Sequence, residues 1–203
     1  RDLHSFPTRR SSDLLYFGRI CPEKGIDLAI QATEVLGKRI VIAGPGSLQA
    51  MGYKKIPNHV EVVGVLGPEK RKEFMGKAKA LLGLTYYVEP FGNMVIEANL
   101  CGTPVITTDW GAFAECNIHG LTGYRCRTFE QFCWAAKNID QIDPQDCRDW
   151  AMANFTMDRV SEMYEEYFQM IWDVYTGKGW YAEHPERENL NWLKRTYPKG
   201  ILK

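Results

Sequence analysis

YYVEPFGNMVIEANLCGTPVITTD, residues 86–109, changes its period twice within one short stretch. The aromatic run ends at Pro90 and Gly92, residues that set a tight turn. NMVIEANL then reads as the opening of a helix, Gly102 and Pro104 end it, and the β-branched VITT reads as a buried strand. Two glutamates, Glu89 and Glu97, bracket the helix entrance, where a single acid would complement the helix dipole. The second acid asks for another reason.

Working outward, the same alternation repeats. On the amino-terminal side stand LLYFGRI (14–20), a helical pattern in KGIDLAIQATEVLG (24–37), RIVIAG (39–44), VEVVGVLG (60–67), the charged helix PEKRKEFMGKAK (68–79) and ALLGLTYY (80–87). Nearly all-apolar strands separated by helices predict an α/β fold with a doubly wound parallel sheet covered on both faces. Beyond Arg125 the pattern is helical: TFEQFCWAAKNI (128–139), PQDCRDWAMANF (144–155) and MDRVSEMYEEYFQMIWDVY (157–175). In the last of these, Val160, Met163, Tyr164, Tyr167, Ile171 and Val174 fall near helical spacing and make a broad apolar and aromatic face. That face either packs on its own domain or waits for a partner.

Ligands of such sheets sit beyond the carboxyl ends of the strands, so the loops that follow the strands carry the chemistry. The first holds Gly18, Arg19 and Lys24, and the second, AGPGS, holds Gly44 and Gly46, which permit close backbone approach. In the fourth, Phe91, Gly92, Asn93 and Met94 lead into a helix whose first amides form an anion site. Glu97 lies about one turn inside that helix. A ligand with a diphosphate in its middle and hydroxyl-rich rings at both ends fits this layout: carboxylates accept from vicinal hydroxyls, and amides and cations hold the phosphates. A nucleoside diphosphate sugar has that form.

The 203 residues are 45% hydrophobic and 25% charged with a formal net charge of +0, enough to bury a core and too balanced to argue for nucleic acid or an anionic membrane surface. Cysteines 21, 101, 116, 126, 133 and 147 form no C-x-x-C pair and the four histidines are scattered. This predicts reduced, partly buried thiols, no metal site and a cytoplasmic protein. No apolar run reaches the roughly 18 residues of a membrane span.

GRICPEKGIDLAI (18–30), VVGVLG (62–67), EPFGNMVIEANLCGTPVITTD (89–109) and GAFAECNIHGLTGYR (111–125) resemble the C-terminal, donor-binding domain of retaining glycosyltransferases of family four (glycosyl transferases group 1), which have the two-domain, Rossmann-like GT-B fold. The specific signature is E-x7-E followed by A-x3-G-x-P-V, with G-R-x4-K-G upstream. The resemblance implies transfer of a sugar from a nucleoside diphosphate sugar to an acceptor hydroxyl with retention, and no cofactor or metal. It implies catalytic roles for Arg19 and Lys24 on the donor diphosphate and for Glu89 on the donor sugar. Gly18, Gly44, Gly46, Phe91, Gly92, Asn93 and Met94 would line the donor, and Glu97 would hold the ribose hydroxyls. Partners implied are the donor and an N-terminal acceptor domain outside this chain; membrane association of the parent is left open. Two positions depart from the family: Thr85 and Tyr86 stand where Pro-Ser is frequent, and Gly111-Ala112 where Gly-Gly is usual.

Taken singly, each signal has a plainer reading. Glu97 would complement a helix dipole, Glu89 would be a solvated acid, Arg19 and Lys24 surface charges, and Gly44 and Gly46 an ordinary strand-ending turn. Cys101 and Cys116 read as packed small residues and His119 as a turn residue. A nucleotide-sugar epimerase of the same architecture, a phosphorylase-like enzyme with a lysine-held pyridoxal group, and a non-catalytic nucleotide-sugar-binding domain are the alternatives. The opening RDLHSFPTRRSSDL (1–14) is polar and aperiodic and resembles the in-frame translation of a common sequencing-library adapter. The expectation is therefore a disordered scar at 1–14, a nucleotide-sugar-binding domain at 15–157, and a helix with a Trp-rich tail at 158–203, the whole being a fragment that does little transfer on its own.

Overall fold

A computed structural model describes residues 13–177; most of the adapter-like segment and the Trp-rich tail lie outside the described residues. Six strands, β1 (Leu14–Phe17), β2 (Ile40–Ala43), β3 (Val60–Gly64), β4 (Ala80–Gly83), β5 (Val105–Thr108) and β6 (Gly123–Cys126), form one sheet in the order β3-β2-β1-β4-β5-β6. Every pairing is parallel. This is the doubly wound order, in which the chain reverses its direction of sheet growth between β1 and β4 and opens a crevice there. Leu14, counted above with the adapter-like segment, opens β1 and is buried, and the Asp13 carbonyl accepts from Lys79 N at 2.9 Å.

The expected strands are present, and one more appears. The sequence pattern predicts no strand in GAFAECNIHGLTGYR, yet Gly123–Cys126 pairs with all of β5. It is a strand because its neighbour is already in place: Val105 N donates to the Thr122 carbonyl at 3.1 Å, and Gly123 lies too close to the β5 backbone for a side chain. GYRC alone carries too little β-branched character to announce itself.

Alternation along β1 divides the core. Leu14 and Tyr16 point to the face covered by α1 (Ile26–Val35) and α5 (Phe129–Asn138), where Ile26, Ile30, Phe132 and Ala135 are buried with Ile40 and Ile42. On the opposite face α2 (Pro68–Lys77) lies beside α3 (Asn93–Leu100), burying Met75, Val95 and Ile96. Pro68 at the first helical position and Gly67 before it start α2 where the charged run predicted a helix. Between β5 and β6 lies the single-turn helix α4 (Phe113–Cys116).

The chain divides into two units between Arg148 and Asp149, inside α6 (Pro144–Phe155) and ahead of the boundary expected at 157. In the second unit Thr156 caps α7 (Met157–Tyr175) by accepting from Arg159 N. No residue of α7 is buried, and Tyr164, Tyr167, Phe168, Ile171, Trp172 and Tyr175 are exposed.

Candidate functional site

β1 and β4 are neighbours in the sheet, so the loops that leave their carboxyl ends meet at the switch point. A backbone bond joins them: Tyr86 N donates to Glu23 O at 2.9 Å. After β1 the chain passes Gly18 and Arg19 and turns through a short 3-10 segment, Pro22–Lys24, that delivers Lys24 into the crevice. After β4 it runs through Thr85, Tyr86 and Tyr87 to Glu89, which is 7% exposed.

Lys24 Nζ and Glu89 Oε2 are 2.7 Å apart. The Tyr87 hydroxyl joins them, accepting from Lys24 Nζ and donating to the same Oε2 at 2.8 Å. Its ring lies beneath the ammonium, with Nζ 4.6 Å from the ring centroid. Burial pulls the Lys24 pKa down, but the bonds to Glu89 and Tyr87 outweigh it and hold it above the ordinary lysine value. Burial raises the Tyr87 phenol, against the pull of Lys24. The centre is therefore a charged pair with a neutral hydroxyl set into it.

Glu97 is not a lone helix-dipole acid. From α3 its Oε1 accepts from Arg71 of α2 at 3.0 Å, and the Arg71 guanidinium lies 5.0 Å from the centre of the Phe17 ring at the end of β1. The pair is more than a third exposed, so its worth to stability is small. α3 itself is entered through Gly92, in the left-handed region at φ 82°, which offers no side-chain cap. Val95 N donates back to Gly92 O at 2.9 Å, and no side chain caps the amides of Asn93 and Met94 ahead of it. Asn93 and Phe91 are exposed and Met94 is half-buried at this entrance. Arg19 is exposed on the first loop, with no acid paired to it among the described residues.

Gly44 and Gly46 bring the first two loops together. A Cβ on Gly44, at φ 146°, would stand 1.9 Å from the Gly18 carbonyl oxygen, and Ile20 N donates to Pro45 O at 2.8 Å. The fifth loop supports the fourth in the same manner. Trp110 Nε1 donates to Tyr87 O at 3.1 Å, Ala112 N to Glu89 O at 2.9 Å, and the Cys116 thiol to Phe91 O at 3.2 Å. The Phe113 ring fills the space a side chain at position 92 would need. Gly111 takes the positive φ of the turn and Ala112 a helical one, so the Gly-Ala pair keeps the turn.

Lys24 and Glu89, expected from the sequence, are thus brought into contact; Glu97, Gly18, Gly44, Gly46 and the Phe91–Met94 segment line the loops at the same sheet edge. Tyr87, Arg71 and Trp110 were not foreseen. For Tyr87 a signal existed: it stands two residues before Glu89, and in extended chain residues i and i+2 share a face. His119, expected in a turn, forms an isolated parallel bridge with Gly123, and its Nδ1 accepts from Arg125 N at 3.0 Å. Burial pushes the Cys116 thiol up to about 12, which suits a packed residue and not a nucleophile. Among the described residues no three His, Cys, Asp or Glu side chains are grouped to hold a metal, and no helix is long and apolar enough to cross a membrane.

Residues 7–143 match the Glycosyl transferases group 1 family. The chain belongs to that family. Group 1 relatives include a protein named glycogen synthase from Mycobacterium tuberculosis, 33% identical over 130 residues that cover 59% of this chain and 31% of that protein. Among solved structures, AviGT4, a glycosyltransferase involved in avilamycin A biosynthesis, superposes with a TM-score of 0.71 at 25% identity, over 80% of this chain and 52% of AviGT4. HepE of Anabaena, solved in complex with UDP and glucose, shares the fold at a TM-score of 0.67 and 19% identity, over 79% of this chain and 48% of HepE. The sheet is thus the Rossmann-like α/β layer of a GT-B group 1 glycosyltransferase, and the chain spans about a third to a half of the length of these proteins.

Proposed function

We propose that this chain is the donor-binding half of a retaining group 1 glycosyltransferase. The observation that carries the reading is the meeting of Lys24 and Glu89 at the switch point, beside the uncapped start of α3. A nucleoside diphosphate sugar would lie along that edge. Its diphosphate would take the first amides of α3 and the cations of Lys24 and Arg19, which neutralise charge as the diphosphate leaves. Its sugar hydroxyls would bond Glu89, and its ribose hydroxyls Glu97, once that carboxylate is shared with or released from Arg71. The complex of HepE with UDP and glucose is in keeping with such a donor. Cations and amides supply the charge stabilisation, so the reading includes no metal and no other cofactor.

The acceptor hydroxyl would be presented by a part of the parent outside these residues, in keeping with the share of the relatives that the chain spans. Closure over the crevice would exclude water and favour the oxocarbenium-like transition state. The test is to incubate the chain with UDP-, GDP- and ADP-glucose and simple glycosyl acceptors, and to follow products by proton NMR. Donor binding with little or no transfer is expected. Turnover by these residues alone would refute the division of labour, and an inverted anomer from the parent would refute retention.

A further inference from the structure

We propose that Tyr87 is the positioning residue of the donor site, coupling the sugar-holding carboxylate to the diphosphate-holding ammonium; the inference rests on the donor site proposed above. An ammonium has three donors. Two of those on Lys24 are spent on Tyr87 and Glu89, which leaves the third to point at a ligand. Glu89 receives both protein bonds on Oε2, from Lys24 at 2.7 Å and from Tyr87 at 2.8 Å, so Oε1 is the oxygen presented to a sugar hydroxyl. One hydroxyl therefore sets the direction of both groups.

Tyr87 is itself held from two sides. Its carbonyl accepts from the Trp110 indole at 3.1 Å and from Thr85 Oγ1 at 3.1 Å. A phenol on so constrained a backbone cannot follow Lys24 when a diphosphate draws the ammonium outward. It goes on donating to Glu89, and the carboxylate keeps its orientation while the ion pair is strained by the ligand. Without the hydroxyl, Oε2 keeps only its bond to Lys24, so the carboxylate follows the ammonium and Oε1 turns away from the sugar.

The test compares affinities for UDP, GDP and ADP with those for their glucose conjugates in the wild type, Tyr87→Phe, Glu89→Gln and the double variant. Tyr87→Phe keeps the ring under Lys24 and removes only the hydroxyl. The expected result is a loss of about tenfold for the glucose conjugate, the scale of one hydrogen bond to a charged group, with less than about threefold for the free diphosphate. On the Glu89→Gln background the same change costs less than about twofold, because the charged carboxylate that the hydroxyl orients has been replaced by a neutral amide. An equal loss for both ligands, or none for either, overturns the role of Tyr87 while leaving the site standing. A wild type that binds none of the six overturns the site itself, and Tyr87 with it.

Discussion

At the residue scale, the two glutamates have different neighbours and therefore different work. Glu89 is buried against Lys24, whereas Glu97 shares a half-exposed surface with Arg71. Removing one member of a buried pair leaves an uncompensated charge, so Lys24→Ala should lower the unfolding free energy by about 3 kcal/mol, and Lys24→Met with Glu89→Leu by less, measured by denaturant melts. The pH dependence has a definite sign. The folded pKa of Lys24 is raised, so its contribution is complete below the ordinary lysine pKa of about 10.4 and is lost as pH rises through the higher folded value. Wild-type stability should therefore fall more steeply above about pH 10.4 than that of Lys24→Ala, and parallel profiles would contradict the pairing. Both acids were legible from their spacing around the Pro-Phe-Gly turn. Arg71 was not, because it is one of several cations in PEKRKEF and nothing in that run marks the one that faces Glu97.

At the element scale, the site is a product of loops braced on loops. The first rests on the second across Gly18 and Gly44, and the fourth on the fifth through Trp110, Ala112 and Phe113. Gly44→Ala combines a strained φ with a backbone clash, while Gly37, at φ 59°, has open space around it. Thermal melts should show Gly37→Ala costing at least about 1 kcal/mol and Gly44→Ala clearly more. Equal losses would mean that the two loops are not in contact. Strands rich in valine, isoleucine and leucine were legible because buried parallel strands need apolar residues on both faces. β6 was not, since its pairing depends on β5 and its own four residues include glycine and arginine. Bracing between loops was also hidden, for it joins residues distant in sequence through backbone atoms that carry no side-chain signature.

At the scale of the whole molecule, the sheet order places every proposed contact at the carboxyl ends of the strands, and burial sorts the thiols into protected and reachable ones. Cys116, Cys126 and Cys147 are buried, and burial pushes the first two thiols up to about 12. Brief alkylation of the folded chain at pH 8, read by mass spectrometry, should label the partly exposed Cys21, Cys101 and Cys133 first and spare those three. Rapid labelling of Cys116 would place the fifth loop differently from the structure described. The family was legible in the joint spacing of G-R-x4-K-G and E-x7-E, which fixes two loops of adjacent strands at once. What covers the aromatic face of α7 was not, because amphipathic periodicity specifies that a face is apolar and not what meets it.

The central claim is that Lys24 and Glu89 mark a nucleoside diphosphate sugar site, and calorimetric titration of the chain with UDP, GDP and ADP tests it most directly. One of the three is predicted to bind, and both the Arg19→Ala, Lys24→Ala pair and Glu97→Gln should weaken it by about 1 to 3 kcal/mol, the scale of a charge-assisted hydrogen bond. A folded chain that binds none of them, or that binds one with an affinity both variants leave unchanged, would contradict the account.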